Sequence, residues 1–196
     1  MSPATRELPL FPLSTVLFPG GPLPLRIFET RYLDMVRRCL REESGFGVVL
    51  ITQGRETGGA PRFVAFGTEA RIVDFDRRDD GLLGITCLGA GRFRVTGTRR
   101  EPDGLNVGEV ADVAAEPAVP VPAEFCFLAD ALRGILPELG DVYAAVPRHF
   151  DDSAWVGHRL AELLPLEPCD RQALLEMQDP LARLAAIAPL VRQPGD

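Results

Sequence analysis

Lysine is absent from the 196 residues, and all 21 basic side chains are arginine. That omission removes every mechanism built on an amine: a Schiff-base lysine, a P-loop lysine and a Ser–Lys dyad are all impossible. Histidine is nearly as scarce, with His149 and His158 alone. The cysteines, Cys39, Cys87, Cys126 and Cys169, lie far apart; none forms a CxxC or stands near a histidine at ligand spacing. They are expected to be small apolar filler in a reducing compartment. No stretch approaches the ~20 uninterrupted apolar residues of a membrane helix. The N-terminus carries no basic-then-apolar leader, because Pro9 and Pro12 interrupt its first apolar run. These absences point to a cytoplasmic protein. Net positive charge is lacking too: the formal charge is −7, which argues against general binding to a phosphate backbone.

Apolar residues make up 46% of the chain, enough for an ordinary globular core without disulfide or metal staples. The unusual feature is where the prolines fall. Glu7 to Val36, "ELPLFPLSTVLFPGGPLPLRIFETRYLDMV", places Pro9, Pro12, Pro19, Pro22 and Pro24 in a run that is otherwise strongly apolar. Proline removes a backbone donor and is excluded from helix interiors and central strands. Leu8–Leu13 therefore reads as an extended edge strand, and Phe18–Pro22 as a turn. Such a path suits a chain passing round the rim of a small barrel, held extended at low entropic cost.

Periodicity predicts a helix over Thr30–Glu42, with Tyr32, Met35, Val36, Cys39 and Leu40 on one face and Arg31, Arg37, Arg38 and Arg41 left to solvent. "FGVVLIT" (46–52) is a strand covered on both faces. Arg62–Asp76 is a long strand that Gly67 could bend. "RRDDG" and Gly89-Ala90-Gly91 read as turns leading into "LLGITCLG" and "RFRVTGTRRE", and "LNVGEVADV" closes an antiparallel barrel or sandwich. Pro117, Pro120 and Pro122 make a stiff connector, after which the pattern is helical. Ser153, Asp170 and Asp179 are candidate helix caps. The organisation is a β-rich lobe, 1–116, and a helical lobe, 117–196.

Chemistry-bearing motifs are sparse. His149 lies in "PRHFDD" beside Asp151 and Asp152, but two ligand types without a third histidine make a weak metal site. A small-molecule hydrolase using His149 with Asp151 or Asp152 is a further alternative. No G-x-S-x-G elbow occurs, and Gly89-Ala90-Gly91 lacks the strand–helix context of a dinucleotide loop. No catalytic residue, cofactor or metal site is nominated. One candidate surface stands out: Phe18, Leu23, Leu25 and Phe28 form an apolar rim beside Glu29, Thr30 and Arg31, where a strand hands over to a helix. Apolar surface flanked by fixed charges suits capture of hydrophobic polypeptide.

The opening "LPLFPLSTVLFPGGPLPLRIFETRY", the strand "FGVVLI", the later "FGTEARI" and "GAGRFRV", and the closing "LAELLPLEPCDRQALLEMQDPLARLAAI" together resemble the N-terminal substrate-binding domain of the Lon (La) ATP-dependent proteases, in its stand-alone bacterial form. The resemblance spans nearly the whole chain in order. It implies an α+β fold: an N-terminal PUA-like β pseudo-barrel with one helix, followed by a C-terminal helical bundle. Lon proteases continue into ATPase and Ser–Lys peptidase modules, and neither signature occurs here. The expected function is a non-enzymatic binding module for unfolded or degron-like polypeptide, or for a protein partner such as a separate protease. Capture is expected in a groove between β-lobe and helices. RNA binding through the PUA-like sheet, using Arg37-Arg38, Arg77-Arg78 and Arg99-Arg100, is the alternative.

Overall fold

The computed structural model describes residues 5–57, 59, 61–77, 82–144 and 146–191. The chain divides into two compact units, one ending at Ala114 and the other beginning at Ala115. The first contains six strands: β1 (Thr5–Leu13), β2 (Pro22–Ile27), β3 (Phe46–Gln53), β4 (Arg62–Arg77), β5 (Leu83–Arg100) and β6 (Asn106–Asp112). They pair in the order β2-β5-β4-β3-β1-β6, and β6 returns to pair with β5. Strands β1, β3, β4, β5 and β6 thus close a pseudo-barrel, from which β2 and the first half of β5 project as a leaf.

The placement of Pro9 and Pro12 follows from the pairing. Residues Thr5–Leu10 of β1 pair antiparallel with β6, and Leu10–Leu13 pair in parallel with β3. The strand changes partner at Leu10, so each half has one flank without a ladder. Pro9 and Pro12 occupy those halves, where a missing N–H costs nothing. β1 is therefore a central strand in order, but an edge strand in each half.

The helix α1 (Thr30–Glu42) has the span that its periodicity predicts. Tyr32, Met35, Val36 and Cys39 pack on Phe11, Ile27, Phe46, Val48, Ile85, Cys87 and Leu105. Each such buried side chain contributes about 1.5–3 kcal/mol. A second cluster, Leu8, Leu10, Val49, Phe93 and Val110, fills the barrel interior. Leu40 is exposed, and Arg31, expected in solvent, is buried. β3 is buried from Phe46 to Leu50, as its continuous apolar run requires.

Gly89-Ala90-Gly91 is not a turn. It lies inside one continuous strand, β5, whose register against β4 shifts across Ala90-Gly91 and again between Cys87 and Thr86. The reason is a close approach: a Cβ at Gly89 would sit 2.1 Å from the Phe18 carbonyl oxygen, whereas one at Gly91 would meet nothing within 4 Å. The Gly89 N–H donates to the Gly21 carbonyl (2.9 Å), and the Gly89 carbonyl accepts from Gly20 N–H (2.7 Å). The true hairpin bend between β5 and β6 falls at Gly104, with φ +89°. The register of β3 on β4 shifts just beyond the Val49–Gly67 pair. Of the proposed "RRDDG" turn, residues 78–81 lie outside the described residues.

The second unit holds α2 (Cys126–Ile135), α3 (Asp141–Ala144), α4 (Ser153–Leu163), α5 (Pro168–Glu176) and α6 (Pro180–Ile187). Asp179 caps α6 through Leu181 and Ala182 N–H groups. The cap of α4 is Asp152, not Ser153, whose hydroxyl donates to the Pro120 carbonyl. The cap position of α5 is Glu167, which makes no side-chain cap, and Asp170 lies in the first turn. The proline connector is docked: Val121 N–H donates to Asp151 O and Ser153 N–H to Val119 O. Glu116, also in this connector, accepts two bonds from the fully buried Arg183 (2.5 and 2.7 Å), and His158 Nε2 lies 3.4 Å away. His158 is thus a core residue. Cys39 and Cys87 are buried filler, but Cys126 and Cys169 are exposed.

Burial drives the His158 imidazole from its ordinary 6.5 down to about 4. Burial alone would raise the Glu116 carboxyl, but hydrogen bonds from His158 and Arg183 outweigh it and hold the group at about 2, below the usual 4.5. Both shifts mean that the unfolded chain takes up more protons, so stability falls as pH falls. The His158 contribution is complete above 6.5 and lost towards 4; that of Glu116 is lost between 4.5 and 2. The thermal midpoint, followed by circular dichroism, should drop through both windows, and His158→Phe should flatten the upper one. Glu116→Gln strands Arg183 and should cost about 3 kcal/mol in urea unfolding at neutral pH. Gly89→Ala should cost about 3 kcal/mol and Gly91→Ala less than about 0.5, since backbone blocks only the first.

Candidate functional site

The prolines of β2 set up the site. Leu23, Leu25 and Ile27 point towards the core under α1, while Pro24, Arg26 and the following Phe28 stay outward. At the end of β2 the chain turns into α1, with Glu29 at the cap position but making no side-chain cap. Between this handover, the end of β1 and the loop after β3 lies a cleft of about 250 Å³. Its walls are Phe11, Leu13, Leu25, Ile27 and Tyr32, its lip is Pro24, Arg26 and Phe28, and Glu29, Glu56 and Thr57 complete the rim. Phe11 and Tyr32 stack with ring centroids 3.9 Å apart. Phe28 is 56% exposed, which is unusual for a large apolar side chain beside an apolar cavity.

The rim charges are held in place. Glu29 pairs with Arg31 at 2.8 Å. Arg31 also donates to the Gly104 carbonyl at 3.0 Å and lies over the Tyr32 ring at 4.7 Å. Glu56 accepts from the Ser14 N–H at 2.6 Å, fastening the loop after β3 to the end of β1. Burial pushes the Tyr32 hydroxyl above its ordinary value. The cleft therefore offers an apolar floor and fixed rim charges, suited to holding an apolar side chain.

Of the residues nominated from sequence, Leu25, Phe28 and Glu29 meet in this cleft. Phe18 does not: it is fully buried beneath the Gly89 approach and presents no surface. Leu23 is half-buried against the core, Thr30 is exposed at the helix start, and Arg31 supports Glu29 from behind. Phe11, Leu13 and Tyr32 read simply as core residues in the sequence. Glu56 and Thr57 carried no local signal, since only the fold brings that loop to β1.

The other chemistry-bearing candidates dissolve into structure. His149 is exposed and meets Trp155 edge-on at 6.2 Å; Asp152 is engaged as the α4 cap, accepting the Ala154 N–H. Among the described residues, no group of three or more His, Cys, Asp or Glu could hold a metal ion. No helix among them is long and apolar enough to cross a membrane. A larger cleft, about 440 Å³, lies between β1, β4 and the end of α1. It is lined by ion pairs that satisfy one another, including Arg6–Glu69 (2.5 Å), Arg71–Glu69 (3.1 Å) and Arg99–Glu7 (2.9 Å).

If Arg31 holds the rim, its loss should be felt in folding. Arg31→Ala removes a buried guanidinium from three partners and should lower unfolding stability in urea by about 2 kcal/mol. Thr30→Ala, on the exposed side, should stay within about 0.5 kcal/mol.

Residues 7–193 match the family model described as the ATP-dependent protease La (LON) substrate-binding domain. Lon protease 2 of Myxococcus xanthus is 30% identical over 95% of this chain, which spans 23% of that protein's length. Cereblon of Danio rerio is 29% identical over 55% of the chain, covering 25% of that protein. The chain thus spans about a quarter of these relatives. The crystal structure of a Lon N-terminal domain protein from Xanthomonas campestris superposes with a TM-score of 0.77 at 42% identity, covering 95% of this chain and 99% of that one. The N-terminal domain of a Mycobacterium avium complex Lon protease shares the fold, with a TM-score of 0.65 at 18% identity over 94% of this chain and 97% of that one. On the match from residue 7 to residue 193, over the pseudo-barrel and the helices that follow it, this chain belongs to the Lon substrate-binding domain family.

Proposed function

We propose that the chain works as a non-catalytic recognition module that captures unfolded or degron-like polypeptide, or a protein partner, by inserting an apolar side chain into the Phe28 cleft. The observation that carries this reading is the exposure of Phe28 at the mouth of a cavity floored by stacked aromatic rings. A cavity of about 250 Å³ is below the ~300–1,000 Å³ of drug-sized ligand sites, and its size suits one large side chain of a peptide. Binding is an equilibrium: apolar area leaves water on contact, and no covalent step is involved. The family's description as a substrate-binding domain of a protease supports a polypeptide as occupant; a separate protease that receives it is part of the proposal.

RNA binding finds no comparable support. Arg37 pairs with Asp34, Arg38 with Glu101, and Arg99 with Glu7 and Glu101, so these arginines already face carboxylates. Arg78 lies outside the described residues.

The test uses reduced, carboxymethylated α-lactalbumin as a permanently unfolded probe. Phe28→Ser should weaken its binding about tenfold, the equivalent of a partly buried aromatic ring, while Thr30→Ala leaves it unchanged. Absence of binding to the wild-type protein would end the proposal.

A further inference from the structure

Residues Arg71–Asp76 of β4 form an open strand edge. β3 pairs with β4 only as far as the Phe46–Ala70 pair, whereas β5 continues to pair with β4 up to the Leu83–Arg77 pair. One flank of Arg71–Asp76 therefore carries no strand, over about 20 Å of chain at 3.3 Å per residue. On it Phe75 is 60% exposed and Val73 55%; with Phe28 at the cleft they are the three most exposed large apolar side chains of the described residues. The Phe75 N–H makes its bond to its neighbour's carboxylate, Asp74 Oδ1, at 2.9 Å. An edge donor is thus occupied by a side chain that can let go.

We infer that this edge accepts an extended, cationic polypeptide segment as an added strand. An added strand supplies a carbonyl to the Phe75 N–H and frees Asp74 to pair, together with the exposed Asp76, with incoming lysine or arginine. Val73 and Phe75 supply the apolar contact. A second copy of the same edge sets Asp74 against Asp76 in one antiparallel register and Arg71 against Asp76 in another, and it is the competing occupant that the test separates. The leaf's opposite edge, β2, is poorer in donors: Pro22 and Pro24 remove two of its N–H groups. The extra residue Val73, set between the Ile72–Cys87 and Asp74–Thr86 pairs, twists the edge away from flat self-association.

The probe is a fluorescent octapeptide alternating lysine and valine, followed by anisotropy. It should bind saturably, and a glutamate–valine analogue about tenfold more weakly. A version N-methylated at alternate amides should also lose about tenfold. The double change Asp74→Asn, Asp76→Asn should weaken the lysine peptide about five- to tenfold, the worth of two exposed ion pairs, with an unchanged far-ultraviolet spectrum. Phe28→Ser should leave it unaffected, which separates this edge from the cleft. Equal binding of the N-methylated peptide overturns the inference. So does loss with Phe28→Ser but not with the asparagine pair, an outcome that leaves the cleft reading standing. Sedimentation showing a dimer strengthened by the asparagine pair would overturn it in favour of a second copy.

Discussion

The first unit depends on the absence of a side chain at Gly89. With a Cβ there, the Phe18 carbonyl could not come close, and the Leu17–Gly21 loop would have to leave β5. Because that approach exists, Phe18 is fully buried, and the Gly20 and Gly21 backbone groups are paired to Gly89. β2 can then start on the flank of β5, at the Pro22–Leu88 pair. Everything in the cleft that comes from β2 follows from this. One strand serves two assemblies: the first half of β5 carries the leaf and its second half closes the barrel against β6. A turn at Gly89 would have separated them.

A second constraint is the use of arginine as an internal fastener. Arg183 is fully buried and bonds Glu116, Leu174 O and Met177 O. Arg159, also fully buried, pairs with Glu162, which accepts from the Tyr143 hydroxyl. Arg31 does the same work beneath Glu29. A planar guanidinium with five donors can serve several acceptors from one buried position, which an ammonium group cannot do with the same geometry. Such clusters add little net stability over an apolar core, but they tolerate one arrangement of their partners. In a chain without lysine, buried cations fix Glu29 at the cleft rim and Glu116 in the connector.

This also explains what the sequence could and could not disclose. Spans set by periodicity, such as α1 and β3, and the Asp179 cap were legible, because each depends on residues a few positions apart. The Lon-type order of elements was legible from motifs spread along the chain. Arg31 was misread because helical periodicity assigns arginine to solvent, and nothing local signals the Gly104 carbonyl 73 residues away. Gly89-Ala90-Gly91 was misread because glycine is equally the residue of turns and of close backbone approach, and only the partner loop distinguishes them. Phe18 reads as surface because it opens a Pro-Gly-Gly turn, and only the close approach of Gly89 buries it. Glu56 became part of the site through its bond to Ser14, a contact made by the barrel's closure.

The crowded prolines belong to the same logic as the exposed strand edge. A leaf of three strands, β2-β5-β4, has two flanks, and unprotected flanks invite aggregation. On one flank, Pro22 and Pro24 leave the edge with few donors. On the other, acidic residues and an extra residue at Val73 replace proline, so donors survive beside negative charge. Leu25, Ile85 and Phe75 stand directly across from one another on one face of this leaf, linking the cleft wall to the open edge across two strand spacings, about 10 Å. Had self-association been the only hazard to suppress, proline would have served on both flanks. The flank that bears Phe75 keeps its donors and the flank next to the cleft carries the prolines, so the cleft wall and the open edge lie on one face of the leaf, two strands apart.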